Sequence, residues 1–343
     1  MKNFFFGLFR AALVLALATA AFLNAAAQSP FQFPTANHTL LEKDGGEKFF
    51  VGTVGNDWTS GMFGCVRSHG QQIHEGLDIR CLQRDRHHEP ADPVLATADG
   101  VVVYYNPYSG LSNYGRYLIL RHKIEGLEIY SLYAHLHEKK DGIKIGQTVR
   151  AGEQIALMGR TANTHEGISK ERAHVHFELN FFITDRFSEW HKKNAAGQRN
   201  DHGDWNGQNL VGLDPRLILL KEAEQGSKFS LLDFVRNQSE LCRVQVRAKN
   251  FPWLKRYAPL VRRNPLAETE GIAGYEIAIN YNGLPFLLIP RATSEMKSAS
   301  RVFLVSVNDE EARQHPCRHF LSKKGASWAL TSKGARHFDL LTY

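Results

Sequence analysis

Between residues 93 and 179 the apolar side chains come in short runs, each cut by a cluster of Gly, Asn or Asp, and no long helical period appears. Runs of this length between turn residues fit a pleated sheet, which predicts antiparallel strands over residues 100–105, 116–122, 127–135, 154–158 and 174–180. The turns fall at Ala98-Asp99-Gly100, Asn113-Tyr114-Gly115 and Asp141-Gly142, and at Gly146 and Gly152. A polar stretch over residues 184–208, rich in His, Lys, Asn, Asp and Gly, reads as a long loop or lid. Asp214-Pro215 and the apolar run 217–220 then close a first domain, with a boundary near Gln225-Gly226-Ser227.

Past that boundary the pattern changes. Residues 229–235 suit a helix, and two strands at 275–280 and 284–289 flank Tyr281-Asn282-Gly283, which reads as the tight turn of a hairpin. A further strand is expected at 301–307, and residues 324–335 have the Gly and Ser spacing of a loop. The expected architecture is therefore β-rich: an antiparallel-sheet domain over residues 28–224, followed by a second, α+β domain over residues 225–343. Two domains also suit a chain of 343 residues, since single cores rarely grow much past roughly 250. With 43% apolar and 22% charged residues the chain has the composition of a folded protein, which excludes a disordered one.

Residues 1–27 place Lys2 and Arg10 around a short apolar run and end in Ala25-Ala26-Ala27, the layout of a secretory signal peptide. The run is short of the roughly 20 residues a spanning helix needs, so no stable membrane insertion is expected after cleavage. The mature chain is expected outside the cytoplasm, in the periplasm or cell envelope. Disulfides persist there, and the simplest pairing is one local bridge per domain, Cys65 with Cys81 and Cys242 with Cys317. No CxxC pair exists to build a cysteine zinc site. The net charge of +7 lies downstream: from Arg216 onward there are 20 Lys and Arg against 12 Asp and Glu. A basic second domain suits an anionic partner such as a wall polymer, and the signal peptide ranks nucleic acid last.

The candidate chemistry begins at His174-Val175-His176-Phe177-Glu178-Leu179. On a strand, period two sends Val175, Phe177 and Leu179 to the core and both imidazoles to the opposite face, where neutral imidazole is a common zinc ligand. His74-Glu75-Gly76-Leu77-Asp78 is a second piece, since a His and a carboxylate converge on one ion if the backbone turns between them, as Gly76 permits. The same spacing recurs at His137 and Asp141 beside Lys139 and Lys140, and the His-Glu dipeptide recurs at His165-Glu166. The first copy is favoured because Ile73, Leu77 and Ile79 set it against a core. A third piece is the strand-like run Tyr130-Ser131-Leu132-Tyr133-Ala134-His135-Leu136.

Taken in order, His74-Glu75-Gly76-Leu77-Asp78, Tyr133-Ala134-His135-Leu136, Gly159-Arg160-Thr161 and His174-Val175-His176-Phe177-Glu178-Leu179 resemble the lysostaphin-type, or LytM-like, zinc metallopeptidases, which cut peptide bonds in bacterial peptidoglycan. The similarity runs over roughly residues 63–220. It implies one zinc ion held by His74, Asp78 and His176, with His135 and His174 as catalytic residues, and a β-rich fold with the site in a groove. Two polar segments, residues 84–93 with His87, His88 and Glu89, and residues 162–173, are longer than the family pattern and are candidates for the groove rim. The implied function is a secreted endopeptidase acting on peptidoglycan peptides. The alternatives are a silent module of the same fold that binds or regulates a cell-wall hydrolase, and a lipoyl-type carrier, which lacks the required Lys at its hairpin tip.

Overall fold

The computed structural model describes residues 31–164 and 167–343. The segment read as a signal peptide and the His165-Glu166 dipeptide lie outside the described residues. Among those described, no helix is long and apolar enough to cross a membrane.

The expected strands form, and all pair antiparallel. Tyr117–Ile124 and Leu127–Ala134 are joined by a tight turn at Glu125-Gly126 and make the middle of a seven-stranded sheet. Gly100–Asn106 pairs on one side, and on the other lies His174–Phe182, nine residues long with every side chain buried. The far edge of this last strand is shared: its first half pairs with Leu77–Arg80 and its second half with Leu210–Leu213. Val175, Phe177 and Leu179 pack into the main core, as period two requires. A smaller three-stranded sheet, with Pro93–Leu95 and Leu136–Lys139 flanking Gln154–Met158, lies beside it. The chain passes between the two sheets at His135, whose φ of 59° interrupts the run from Leu127 into Leu136–Lys139.

Downstream, Asp214 caps the helix Pro215–Gln225, its Oδ1 accepting from the backbone N–H of Arg216 at 2.8 Å, with Pro215 at the first helical position. The anticipated helix forms at Leu231–Arg236. Gly274–Ile279 and Pro285–Arg291 make the expected hairpin, and with Cys242–Val246 and Val302–Val307 they complete a four-stranded antiparallel sheet. Gly283 holds the hairpin turn at φ 91°, and a Cβ there would meet the Phe320 ring at 2.7 Å. The main cluster of buried side chains runs through both halves: Phe181 stacks on Trp253 at 5.7 Å, and the Tyr257 hydroxyl accepts from the Phe182 N–H at 2.8 Å.

Three expectations are corrected. Residues 324–335 are not a loop: Leu321–Lys324 and Ser327–Leu330 form a hairpin, followed by the helix Ser332–Leu341. The Gly and Ser in that segment serve the turn at Gly325, at φ 60°, and the helix start. The polar stretch 184–208 contains the helix Phe187–Asn194, because Phe187, Trp190 and His191 recur at helical spacing and are buried. The cysteines do not pair locally. Cys65 bonds Cys317, 252 residues away, while Cys81 and Cys242 are free and buried. Cys81 follows the strand Leu77–Arg80 and turns its Sγ toward Asp92, 3.1 Å away, whereas Cys65 lies on the strand Gly64–Arg67 next to the C-terminal half. Burial pushes the Cys81 and Cys242 thiols up to about 12, so neither is nucleophilic at neutral pH.

Two predictions follow from this packing. Cys65→Ser should destabilise the protein by about 3 kcal/mol in chemical denaturation, since the bridge closes a very long loop. A stability equal to that of the wild type under oxidising conditions would mean the bridge adds nothing. His122 is buried, its Nδ1–H donating to the Asp99 carbonyl at 2.8 Å and its Nε2 lying 2.7 Å from Ser131 Oγ. Burial lowers its pKa from 6.5 to about 4. The stability it contributes is therefore fully present above pH 6.5 and should fall by about 3 kcal/mol as the pH drops to 4. The stability of His122→Gln should fall less steeply than that of the wild type over this window, and parallel pH curves would sink the assignment.

Candidate metal centre

Antiparallel register brings the separated motifs together. In the ladder between His174–Phe182 and Leu77–Arg80, His176 stands opposite Asp78, and His74 reaches the same point from the preceding strand Gln72–His74. Gly76, between them, does not adopt a left-handed conformation. Its role is closeness: a Cβ there would lie 2.3 Å from the Phe177 carbonyl oxygen. His74 Nε2 lies 3.1 Å from Asp78 Oδ1 and 3.1 Å from His176 Nδ1, and His176 Nδ1 lies 2.9 Å from the same carboxylate oxygen. All three side chains are buried, and their ligand atoms lie within 4.8 Å of one another.

The outward-facing ring atoms decide what the inward ones offer. His74 Nδ1 is 2.7 Å from the Met62 carbonyl, which only accepts, so the proton sits there and Nε2 turns a lone pair inward. His176 Nε2 is 2.8 Å from Glu178 Oε1, so a neutral ring turns the Nδ1 lone pair to the same place. Asp78 Oδ2 accepts from Arg67 Nη2 at 2.7 Å, leaving Oδ1 facing the two rings. Two imidazole lone pairs and a carboxylate oxygen thus point at one another. That arrangement requires a proton or a cation between them, and its donor set of two His and one Asp suits a zinc ion with a position left open. Burial alone would lower the His176 pKa, but Asp78 and Glu178 hold it up at about 9. Burial alone would likewise raise the Asp78 carboxyl, yet the imidazoles around it keep it well below its usual value.

His174 and His135 sit beside this cluster and are buried or nearly so, their rings 4.9 Å apart. His174 Nδ1 donates to the Arg172 carbonyl at 2.6 Å and His135 Nδ1 to the Thr161 carbonyl at 2.8 Å. Each therefore presents an unprotonated Nε2, and that of His174 lies 3.5 Å from Asp78 Oδ1. Burial lowers both pKa values, that of His135 well below the usual range, with the neighbouring imidazoles adding to its shift. The shifts favour the neutral ring, the form that can accept a proton, and make it a weaker base than a free imidazole.

The five residues line a cavity of about 1330 Å³. Its rim includes Ala162, Asn163, Thr164, Ile168 and Ser169 of the longer segment before His174. The other long segment, 84–93, stays off the rim; Glu89 instead braces the first, pairing with Arg160 at 2.8 Å and Lys170 at 3.0 Å. The competing pair, His137 and Asp141, is exposed. Pattern reading passed over four contributors. Glu178 shares parity with His174 and His176, so period two already placed it on the same face. Tyr114, whose hydroxyl donates to Glu178 Oε1 at 2.6 Å, comes from a turn 64 residues away, and Arg67 and the Met62 carbonyl come from a segment with no distinguishing pattern.

Comparison with known proteins agrees with this geometry. The model of peptidase family M23 matches residues 72–186, the stretch that contains all five residues. An uncharacterized metalloprotease of Haemophilus influenzae is 40% identical over 106 residues, 31% of this chain and 18% of that protein. The murein hydrolase activator NlpD of Escherichia coli is 35% identical over 88 residues, 26% of this chain and 20% of its own length. This chain therefore spans about a fifth of those two proteins. Against the lipoprotein NlpD of Yersinia enterocolitica the identity is 34% over 89 residues, 26% of this chain and 77% of that sequence. With the family match lying on the strands that build the cluster, and one relative matched over most of its length, this chain belongs to peptidase family M23.

Proposed function

We propose that this protein is a zinc metalloendopeptidase of the cell envelope that hydrolyses peptide bonds in bacterial peptidoglycan, with one zinc held by His74, Asp78 and His176. The observation that carries the reading is the convergence of two imidazole lone pairs and the Asp78 carboxylate oxygen on one buried point, with the outer atoms of all three already engaged. A zinc ion held there supplies Lewis acidity, activating water for attack and polarising the scissile carbonyl.

The chain's own groups supply the proton transfers. In this reading His174 or His135, each with a free Nε2, takes the proton of the attacking water and returns it to the leaving amine. The backbone carbonyls of Arg172 and Thr161 fix the two tautomers, so neither ring must reorient before accepting. Arg67 and Glu178 hold Asp78 and His176 in place, the role that outer partners play around a metal ligand. We further propose that residues 28–224 form the catalytic unit and that 225–343 contribute a wall of its groove, since Arg318, Phe320 and His337 line the same cavity.

A second reading is favoured by the relative named as a murein hydrolase activator: a module that keeps the fold and regulates a separate hydrolase. The complete set of five side chains supports hydrolysis instead. Metal analysis coupled to digestion of purified sacculi, with products identified, separates the two. One zinc per chain with released peptides is expected, and zinc-loaded protein that leaves sacculi intact would establish the regulatory reading.

His74→Ala, Asp78→Ala and His176→Ala should each lose most of the bound zinc. His135→Ala and His174→Ala should retain it while kcat falls about 10²–10⁴-fold. Arg67→Met should weaken zinc affinity about 10–100-fold in a chelator competition. Unchanged affinity in that variant would remove Arg67 from the supporting set.

A further inference from the structure

The C-terminal half sends one short segment into the cavity that holds the His–Asp cluster. Cys317 is bonded to Cys65, which fixes the segment's start. His319 is tied to the opposite wall, its Nε2 lying 2.9 Å from the Gln71 carbonyl. Phe320 is buried against Gly283, and its ring lies 4.9 Å from that of His337. Arg318 stands between these anchors. The chain at Cys317–Phe320 is thus held at both ends, and the one long polar side chain in it is left to the cavity.

The guanidiniums lining this cavity are Arg67, Arg172, Arg199, Arg318 and Arg336. Four of them are engaged: Arg67 with Asp78, Arg172 with the Gly52 carbonyl, Arg199 with Asp201 and Arg336 with the Asn194 carbonyl. Arg318 makes no hydrogen bond or ion pair among the described residues. Its contact is with an aromatic face, the guanidinium carbon lying 5.4 Å from the centroid of Phe320. Its Nε is enclosed and has no partner. Burial lowers its pKa, and the Glu75 carboxylate opposes that shift. Glu75 follows His74 in sequence, and Tyr114 donates to the Glu178 carboxylate that holds His176.

A partly desolvated guanidinium whose Nε is enclosed and unpartnered is costly to maintain, because it has given up water and gained no hydrogen bond or ion-pair contact in return. Its planar fork of donors matches a carboxylate in two parallel hydrogen bonds. We infer that Arg318 is a specificity-determining residue that binds a free carboxylate of the peptide lying across the His–Asp cluster. The ligand class is an acidic peptide. This rests on the proposed action on peptidoglycan, whose peptides carry free carboxylates, and it adds which feature of them this chain reads. The residue comes from the half of the chain beyond the family match, which ends at residue 186, so it is a feature of this protein rather than of the shared domain.

The test uses the full mature chain loaded with zinc and two probes: a cross-linked acidic muropeptide, and the same muropeptide with its carboxyls converted to carboxamides. Kinetics give kcat and KM for both. Dissociation constants for both are measured with His135→Ala protein, with and without the Arg318 change. The wild type should favour the free acid by about tenfold or more in kcat/KM, mainly through KM, and by a similar factor in binding. Arg318→Gln should bring both ratios within about twofold of one, with zinc content and melting temperature unchanged. Arg318→Lys, which keeps the charge and is the safer variant if the Gln form folds poorly, should retain part of the preference.

Equal handling of the two probes by the wild type would overturn the inference, as would a preference that survives Arg318→Gln. Failure of hydrolysis is separable from this. If neither probe is cut but the free acid still binds more tightly and Arg318→Gln abolishes that preference, the carboxylate site stands and the endopeptidase reading falls. If both probes are cut at equal rates and bound equally, the reverse holds.

Discussion

The structure depends on one register, the pairing of His174–Phe182 with Leu77–Arg80 that sets His176 opposite Asp78. In an antiparallel ladder a slip of one residue would exchange faces along the whole strand, taking Val175, Phe177 and Leu179 out of the core and the histidines into it. The register is therefore fixed by burial of the apolar face, and the chemistry on the other face inherits its precision. The same strand continues past the site to pair with Leu210–Leu213, so its two halves are held by different partners on one edge. Local fluctuation at one end is resisted by the other.

Around that register the site is braced from outside. Each inward atom owes its direction to a partner facing away: Met62 for His74, Glu178 for His176, Arg67 for Asp78, Arg172 for His174 and Thr161 for His135. Carbonyls fix three of the five rings and side chains because a carbonyl accepts and never donates, which leaves one tautomer. His135 also sits at φ 59°, where the chain crosses between sheets, with its N–H donating to the Tyr114 carbonyl at 2.9 Å. A left-handed non-glycine residue is held there by its surroundings, a cost of order 1 kcal/mol that aims the ring at the cluster.

The C-terminal half is tied to the strand that carries Arg67. Cys65 and Arg67 share the strand Gly64–Arg67, and the bridge to Cys317 joins it to the segment bearing Arg318. The covalent link thus couples Arg67, which orients the Asp78 carboxylate, to a residue that faces the same cavity from the other side. The core is also continuous across the two halves, since ring contacts such as Phe181 with Trp253 at 5.7 Å and Phe181 with Tyr257 at 4.8 Å span the division near Gln225.

Much of this was legible in the order of residues. Short apolar runs between turn residues located the strands, and period two within one of them placed His174, His176 and Glu178 on one face. Apolar neighbours separated His74 and Asp78 from the exposed His137 and Asp141, since Ile73, Leu77 and Ile79 have to be buried. The helix Phe187–Asn194 was obscured by its polar composition although Phe187 and Trp190 carried its signal. What the sequence by itself determined was the fold class and the residues able to meet at one point. Only the tertiary structure decided which partners orient them, that Cys65 reaches Cys317 rather than Cys81, and that Arg318 enters the cavity. Those contacts join segments far apart in the chain, and no local period records them.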